Sequence, residues 1–101
     1  ILFQARLHPL RKAGSLTTPE WRRLARAVLT LGERAYRTGG ITNDERRARR
    51  LKKEGLRWGA YRHHVFTRGG RPCWTCKAPV RREAWGQRKL FFCPECQPAT
   101  P

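Results

Sequence analysis

The chain has 101 residues, of which 23 are Lys or Arg and 7 are Asp or Glu, giving a formal net charge of +16. That length suits one compact domain or two very small ones. The charge favours a polyanionic partner, most commonly nucleic acid, with an anionic membrane surface as the rival. With no long apolar run, signal peptide or lipidation motif, the sequence argues against a membrane span and against secretion.

Residues 1–7 are largely apolar and are predicted to form the last turns of a helix. The chain has no Met and starts at Ile1, so we expect it to be the tail of a longer protein. His8-Pro9 should end this first helix, because a residue before proline avoids the helical region. A turn-rich connector to Leu16 should follow, with His8 capping or packing and not binding metal.

A long helix is predicted to begin near Thr17. Thr17 and Glu20 have the spacing of a capping box, and Pro19 suits the first turn. Gly39-Gly40 should end this helix at about residue 38. Apolar residues recur at steps of three and four and predict one core-facing stripe, formed by Trp21, Leu24, Val28, Leu31 and Ala35.

A short and strongly basic helix is predicted next, capped by Asn43 or Asp44 and ended by Gly55. Only Ala48 and Leu51 are apolar in it, so we expect it to bury little and to be mobile or conditionally folded. Cations packed this densely repel one another unless something neutralises them, which favours a nucleic-acid-facing surface over a merely solvated one. The six cations are Arg46, Arg47, Arg49, Arg50, Lys52 and Lys53.

Residues 56–67 are rich in aromatic and β-branched side chains and are predicted to form an extended approach, the first strand, to the region that follows. His63 and His64 lie in this segment. We do not expect them to bind metal, because four thiols are available further along the chain.

Four cysteines form two C-x-x-C pairs, Cys73 with Cys76 and Cys93 with Cys96, and residues 77–92 lie between the pairs. This spacing is typical of a four-thiolate zinc site. Zinc with four protein ligands in a closed tetrahedron is structural, so we expect one structural Zn²⁺. Two disulfides or four free thiols are the alternatives, although disulfides suit small secreted domains.

The segment between the two pairs is predicted to form a β-hairpin. Its arms are residues 80–85 and 89–92, its turn is Gly86-Gln87, and Arg88 lies just past the turn. The tail, residues 97–101, holds two prolines and is expected to be frayed.

Several short motifs together resemble the C-terminal half of bacterial DNA glycosylases of the formamidopyrimidine-DNA glycosylase and endonuclease VIII family. The resemblance covers essentially the whole chain. Its most specific parts are the cysteine hairpin and the His-Pro connector. The motifs are Leu7-His8-Pro9-Leu10-Arg11, Ala13-Gly14-Ser15-Leu16, His64-Val65-Phe66, Arg71-Pro72-Cys73 and Phe91-Phe92-Cys93-Pro94-Glu95-Cys96-Gln97.

The resemblance implies a small α+β fold, in which a helical helix-two-turn-helix portion precedes a four-cysteine zinc-finger β-hairpin. The implied division is a helical DNA-binding portion at 1–40, incomplete at its start, a basic connector at the position of the family's lesion loop at 41–62, and the zinc-finger hairpin with its tail at 63–101. Arg88 matches the zinc-finger arginine that grips phosphates beside the flipped nucleotide.

The resemblance also implies a task. Family members excise oxidised bases and nick the resulting abasic site with an N-terminal proline amine, supported by a glutamate. Both belong to a part of the protein before Ile1, so no catalytic residue is predicted in this chain. The predicted function is therefore damaged-DNA binding by the C-terminal half of a base-excision DNA glycosylase and abasic-site lyase.

Finer expectations follow from the same resemblance. Residues 41–44 and 63–66 favour an endonuclease VIII-like member, directed at oxidised pyrimidines, over the formamidopyrimidine type. The expected partner is duplex DNA with a damaged base or abasic site, bound by a monomer in the bacterial cytosol at the nucleoid. The alternative function is a stand-alone zinc-ribbon module that binds nucleic acid without catalysis.

Overall fold

The structure is a computed structural model that describes residues 1–99. Within this range the chain forms a small α+β fold, as predicted, with its helices first and one two-stranded antiparallel hairpin last. A 3₁₀ turn at Ala13–Ser15 precedes the regular elements. These are α1 (Thr18–Thr38), α2 (Glu45–Lys53), α3 (Trp58–Tyr61), β1 (Arg81–Trp85) and β2 (Arg88–Phe92).

The predicted helix over residues 1–7 is wrong in its extent, since the segment forms turns and no regular helix. The Leu7 N–H donates to the Leu2 carbonyl and the Arg6 N–H to the Phe3 carbonyl, each at 3.0 Å. Arg6 has a φ of 59°. This pairing and a left-handed residue are how helices commonly end, so the chain leaves the helical path at Arg6, before His8-Pro9.

His8 packs and caps, as predicted. Its ring lies 4.5 Å from the Phe92 ring, centroid to centroid. Its Nδ1 accepts a hydrogen bond from the Leu10 N–H at 3.1 Å. The connector is therefore fixed against the hairpin.

Helix α1 begins and ends as its sequence predicts. The Glu20 N–H donates to the Thr17 hydroxyl, while the Glu20 carboxylate accepts from the Thr17 N–H, which completes the capping box. At the other end Gly39 has a φ of 74°, in the left-handed region where glycine costs least.

The predicted core stripe of α1 is partly wrong. Ala27 and Leu31 are buried, and Ala27 packs with Ala5 and Leu7, but Trp21 and Val28 are each 47% exposed. The apolar arc of this helix is wider than the surface that covers it, and periodicity does not tell which half is covered. Trp21 and Val28 lie on the uncovered half.

Helix α2 has the expected caps. The Asp44 carboxylate accepts from the Arg47 N–H at 2.9 Å, and Gly55, with a φ of 92°, follows the helix end. As expected, this helix buries little: its buried residues are Ala48 and Leu51, which pack against Tyr61 of α3. A nine-residue helix needs only one narrow covered face, and α3 supplies that cover.

The strand predicted over residues 56–67 is also wrong, because the segment contains the single helical turn α3 and no strand. Residues 42 and 43 hold its end in place. The N–H groups of Thr42 and Asn43 both donate to the Arg62 carbonyl, at 2.8 and 3.0 Å. The fully buried Asn43 side chain donates to the Tyr61 carbonyl at 3.0 Å.

The prediction of a frayed tail is wrong for Gln97, which is 1% exposed. Its Nε2 donates to the Leu7 carbonyl at 2.9 Å, and its Oε1 accepts from the Cys93 N–H at 3.0 Å. Residues 100 and 101, the rest of that prediction, lie outside the described residues. In the part of the chain that is described, no helix has the length and apolarity that a bilayer crossing needs.

Candidate metal centre and nucleic-acid interface

The four predicted ligands meet at one point. The sulfur atoms of Cys73, Cys76, Cys93 and Cys96 all lie within 4.8 Å of one another. The Cys73 and Cys96 sulfurs are 4.0 Å apart, and those of Cys76 and Cys93 are 3.4 Å apart. A disulfide needs about 2.0 Å between sulfurs, whereas a tetrahedron with Zn–S bonds of about 2.3 Å has edges of about 3.8 Å. The distances therefore fit a tetrahedral metal site.

Two tight turns aim these sulfurs inward. The Thr75 N–H donates to the Cys73 sulfur, and the Cys96 N–H donates to the Cys93 sulfur, each at 3.4 Å. Just after the first turn, Lys77 takes a φ of 70° and donates its N–H to the Cys73 carbonyl at 3.0 Å. We call residues 73–76 and 93–96 the cysteine turns. Backbone donors of this kind favour the thiolate form.

The thiols do not titrate alike. Burial raises the pKa of the Cys93 and Cys96 thiols above their ordinary value. Burial also acts on Cys73, but backbone N–H groups of Cys76 and Thr75 outweigh it and lower the pKa of that thiol. Metal ligation needs deprotonated thiols, and a bound cation would offset the repulsion among four thiolates this close together. The donor set and its spacing suit a soft divalent metal such as zinc.

Arg68, which sequence reasoning missed, holds the first cysteine turn in place. This buried arginine donates to the His64 carbonyl at 3.0 Å and to the Pro72 carbonyl at 2.7 Å. Its guanidinium lies 3.8 Å from the centroid of the Trp74 ring, a cation–π contact. Only its place in the turn before Cys73 could have drawn attention to it.

The two histidines lie outside the cysteine cluster. The His64 ring stacks on Phe3 at 4.4 Å, and burial, followed by the charges of Arg47 and Arg34, lowers the pKa of His64 to about 4. Within residues 1–99 the four cysteines are the one group of His, Cys, Asp or Glu side chains close enough to hold a metal ion.

Arg88 differs slightly from its predicted place. The turn is Gly86-Gln87, as expected, but Arg88 is the first residue of β2 and pairs directly with Trp85. We call residues 85–88 the hairpin tip. Arg88 is exposed, and no ion pair engages it in the described part of the chain. Its guanidinium is free for an external anion.

The six cations of α2 are not equivalent. Arg47 is half-buried and donates to the Asn43 side-chain oxygen at 3.3 Å. Arg49 lies 3.5 Å from a Glu45 oxygen, and Arg50 lies 3.4 Å from a Glu54 oxygen. The exposed cations are Arg46, Arg49, Arg50, Lys52 and Lys53. They form what we call the α2 basic surface.

The α2 basic surface and the hairpin tip are separate. Among the helices and strands of the described residues, α2 contacts α3, and β1 contacts β2. The structure therefore presents two positive surfaces, one on a helix and one on a hairpin, and does not bring Arg88 and the α2 cations together.

This fold and site define a small basic helical module that ends in a four-cysteine hairpin. No family model matches the chain. It is 43% identical over 101 residues to formamidopyrimidine-DNA glycosylase of Thermus thermophilus, covering 99% of this chain and 37% of that protein. The same enzyme of Symbiobacterium thermophilum is 42% identical over 98 residues, covering 96% of this chain and 31% of that protein.

Solved structures agree. The crystal structure of the MutM (Fpg) protein from Thermus thermophilus matches with a TM-score of 0.75 and 39% identity, covering 99% of this chain and 37% of that one. Lactococcus lactis Fpg in complex with FAPY-dG-containing DNA matches with a TM-score of 0.73 and 21% identity, covering 96% and 33%, which shows the fold alone.

The comparisons confirm the predicted resemblance: in sequence and in fold, the chain matches the C-terminal part of formamidopyrimidine-DNA glycosylases. It spans about 37% of the length of the Thermus relative and 31% of the Symbiobacterium one. Both of these relatives are named as formamidopyrimidine-DNA glycosylases.

Proposed function

We propose that this chain binds duplex DNA containing a damaged base or an abasic site, as the DNA-binding part of a base-excision DNA glycosylase and abasic-site lyase. The match to formamidopyrimidine-DNA glycosylases over 99% of the chain supports this proposal, as does the net charge of +16. A DNA-repair task would place the protein with the bacterial nucleoid.

The metal centre is part of the proposal. Cys73, Cys76, Cys93 and Cys96 would hold one Zn²⁺ in a closed four-thiolate site, which leaves no position for a reacting water. When bound, the metal supplies a crosslink between the two cysteine turns. These turns bracket the hairpin, so they fix the direction in which its tip points.

Arg88 at the hairpin tip carries the proposal, because it is exposed and no ion pair in the described part of the chain engages its guanidinium. A guanidinium matches a phosphate with two parallel hydrogen bonds, and these are strong because both partners are charged. A narrow hairpin tip can approach the DNA backbone closely. Arg88 would thus hold one phosphate at a defined place, while the α2 basic surface would add attraction that does not depend on sequence.

The test is a titration of zinc-loaded wild type and Arg88→Ala with a duplex that carries an abasic-site analogue. Hydrogen bonds to charged groups contribute roughly 1.5–3 kcal/mol, so affinity should fall about ten- to a hundredfold. Zinc content and circular dichroism should not change, because Arg88 lies at the end of β2 farthest from Cys93.

Arg82→Ala is the charge-matched control. Arg82 is exposed on β1 of the same hairpin, away from the tip. Arg82→Ala should lower affinity only about two- to threefold, because it removes one positive charge and no specific phosphate contact. Equal losses for the two variants would make Arg88 one more cation on a basic surface and would remove the argument for a specific contact.

The lesion class is a finer proposal. Residues 41–44 and 63–66 support an endonuclease VIII-like preference for oxidised pyrimidines, whereas the names of the relatives support formamidopyrimidine lesions. We propose the pyrimidine preference. Titration with two duplexes that differ only in the lesion tests it, and tighter binding to the formamidopyrimidine duplex would reject it.

A further inference from the structure

Trp85 is a large exposed side chain that the proposed function leaves unexplained. It ends β1 at the hairpin tip and is 62% exposed. Among the described residues no ring stacks on it and no arginine lies over it, although Trp58 and Trp74 each have such a partner. A tryptophan that is mostly exposed to water at the hairpin tip gains little from burial, so folding alone does not account for it.

The surroundings of Trp85 are cationic. Its cross-strand partner is Arg88, so the two side chains lie on the same face of the hairpin, at its last rung. The adjacent rung pairs Ala84 with Lys89, whose exposed side chain adds a second cation to this end of the hairpin. Glu83, the acidic residue nearest to Trp85 along the chain, forms an ion pair with Arg81 at 2.7 Å. An aromatic face beside an unpaired guanidinium suits a ligand that has both a π-surface and a phosphate.

We propose that Trp85 stacks on a nucleobase of the DNA whose phosphate Arg88 holds. Base and phosphate belong to one nucleotide unit, and the Trp85–Arg88 pair offers one partner for each. Stacking needs a base face that is not covered by its neighbour, as at an abasic site or a flipped nucleotide. This inference rests on the proposed function and assigns the hairpin tip a contact with bases as well as with the backbone.

The turn at the hairpin tip is short. Gly86 takes a φ of 61° in the turn, and the direct pairing of Trp85 with Arg88 closes the hairpin with only two residues between them. Such short turns are the common connections of twisted hairpins. Trp85 is therefore presented from a short, closed turn and not from a long loop.

The test compares Trp85→Ala, Trp85→Phe and Trp85→Leu with wild type, all zinc-loaded, on the duplex with an abasic-site analogue and on the same duplex undamaged. Trp85→Ala should weaken binding to the damaged duplex about tenfold, on the scale of base–aromatic stacking. Affinity for the undamaged duplex should fall less than about threefold, because its bases are already stacked on one another. The salt dependence of binding should not change, because stacking releases no counterions.

Two further variants distinguish aromatic stacking from the effect of apolar side-chain volume. Trp85→Phe keeps an aromatic face and should retain most of the affinity, whereas Trp85→Leu keeps apolar volume without a π-face and should behave like Trp85→Ala. Trp21→Ala, a half-exposed tryptophan on α1, is the matched control and should bind as wild type does. Zinc content measured for each variant shows that the hairpin is intact.

Three results would overturn the inference. They are an unchanged affinity for Trp85→Ala, equal affinities for the Leu and Phe variants, and equal losses on damaged and undamaged duplexes. Each leaves the proposed function standing as long as Arg88→Ala still weakens binding. If wild type binds neither duplex, the proposed function fails first, and this inference fails with it.

Discussion

At the scale of single residues, Glu20 shows how strongly hydrogen-bond donors can shift the pKa of one buried carboxylate. Its carboxylate is 5% exposed and accepts from the two Arg11 terminal nitrogens at 2.8 and 3.0 Å, and from the Thr17 N–H at 2.8 Å. These hydrogen bonds lower the pKa of Glu20 from an ordinary 4.5 to about 2. The bond from Arg11 has the largest effect, and the bond from the Thr17 N–H has the next largest.

This shift predicts a pH dependence of stability. A carboxyl whose pKa is lower in the folded state stabilises the fold above its unfolded pKa, and this stabilisation is lost as pH falls through the folded pKa. The free energy of unfolding should therefore fall between about pH 4.5 and about pH 2. Glu20→Gln should be less stable than wild type at neutral pH, and the difference should vanish towards pH 2. Urea denaturation followed by circular dichroism measures both.

Acid also protonates the cysteine thiolates and releases metal, but it does so in both proteins, so the difference between them isolates Glu20. Glu33→Gln is the matched control. Glu33 pairs with Arg37 at 3.3 Å from an exposed position, and exposed pairs contribute little. A constant gap between wild type and Glu20→Gln at every pH would contradict the assignment.

At the scale of elements, α2 joins a buried face to a cationic one. Ala48 and Leu51 anchor it, and the α2 basic surface faces away. Replacing Arg46 and Lys53 by Gln should leave the fold intact. It should weaken binding to damaged and to undamaged duplexes by the same factor. Each lost phosphate contact lowers the slope of log affinity against log salt by about 0.9, so the slope should fall by about 1.8.

The control for that experiment is a pair of exposed cations elsewhere. Arg22 and Arg26 lie on α1, and replacing both by Gln removes the same charge. A smaller change in slope is expected there. The same change in slope for both pairs would mean that DNA is attracted by net charge alone and that α2 has no special place in the interface.

Local signals predicted the elements that carry their own boundaries. Thr17, Glu20 and Gly39 fix both ends of α1, and Asp44 with Gly55 brackets α2, so these helices could be read from sequence. Helix α3 could not, because four residues show no period and Asn43, 18 residues earlier, holds the end of that turn. The covered half of α1 could not be read either, since tertiary neighbours decide it.

Some residues of the candidate site could be predicted from the sequence and others could not. The spacing of the four cysteines predicted their meeting point, and the Gly86-Gln87 turn placed Arg88 near the tip. Arg68 and Gln97 escaped prediction because their partners are carbonyl groups, of Pro72 and Leu7, and a carbonyl leaves no mark in a sequence.

At the scale of the whole molecule, the metal centre should control the fold of the C-terminal portion. Cys73 and Cys93 belong to the same buried cluster as Val80, with Phe3 and Val65 packed against it. Complete chelation should unfold residues 63–97 and leave much of α1 helical, because α1 has its own caps. Metal analysis should give one zinc per chain, and circular dichroism with added EDTA should show partial loss of structure.

Adding zinc back should restore the spectrum, which separates unfolding from chemical damage to the thiols. An unchanged spectrum after metal analysis shows full removal would mean that packing alone holds the hairpin. Loss of all helical signal would show that α1 depends on the hairpin more than its own capping suggests.

The hydrogen bonds of Gln97 have a consequence for the order of folding. One side-chain amide joins the Leu7 carbonyl, 90 residues away, to the Cys93 N–H. Contacts between residues so distant in sequence form late, because the loop entropy must be lost before the contact gains anything. Helices α1 and α2 form from neighbours and can assemble early. We therefore expect closure of the cysteine turns onto the His-Pro connector to be the slow step that sets the refolding rate.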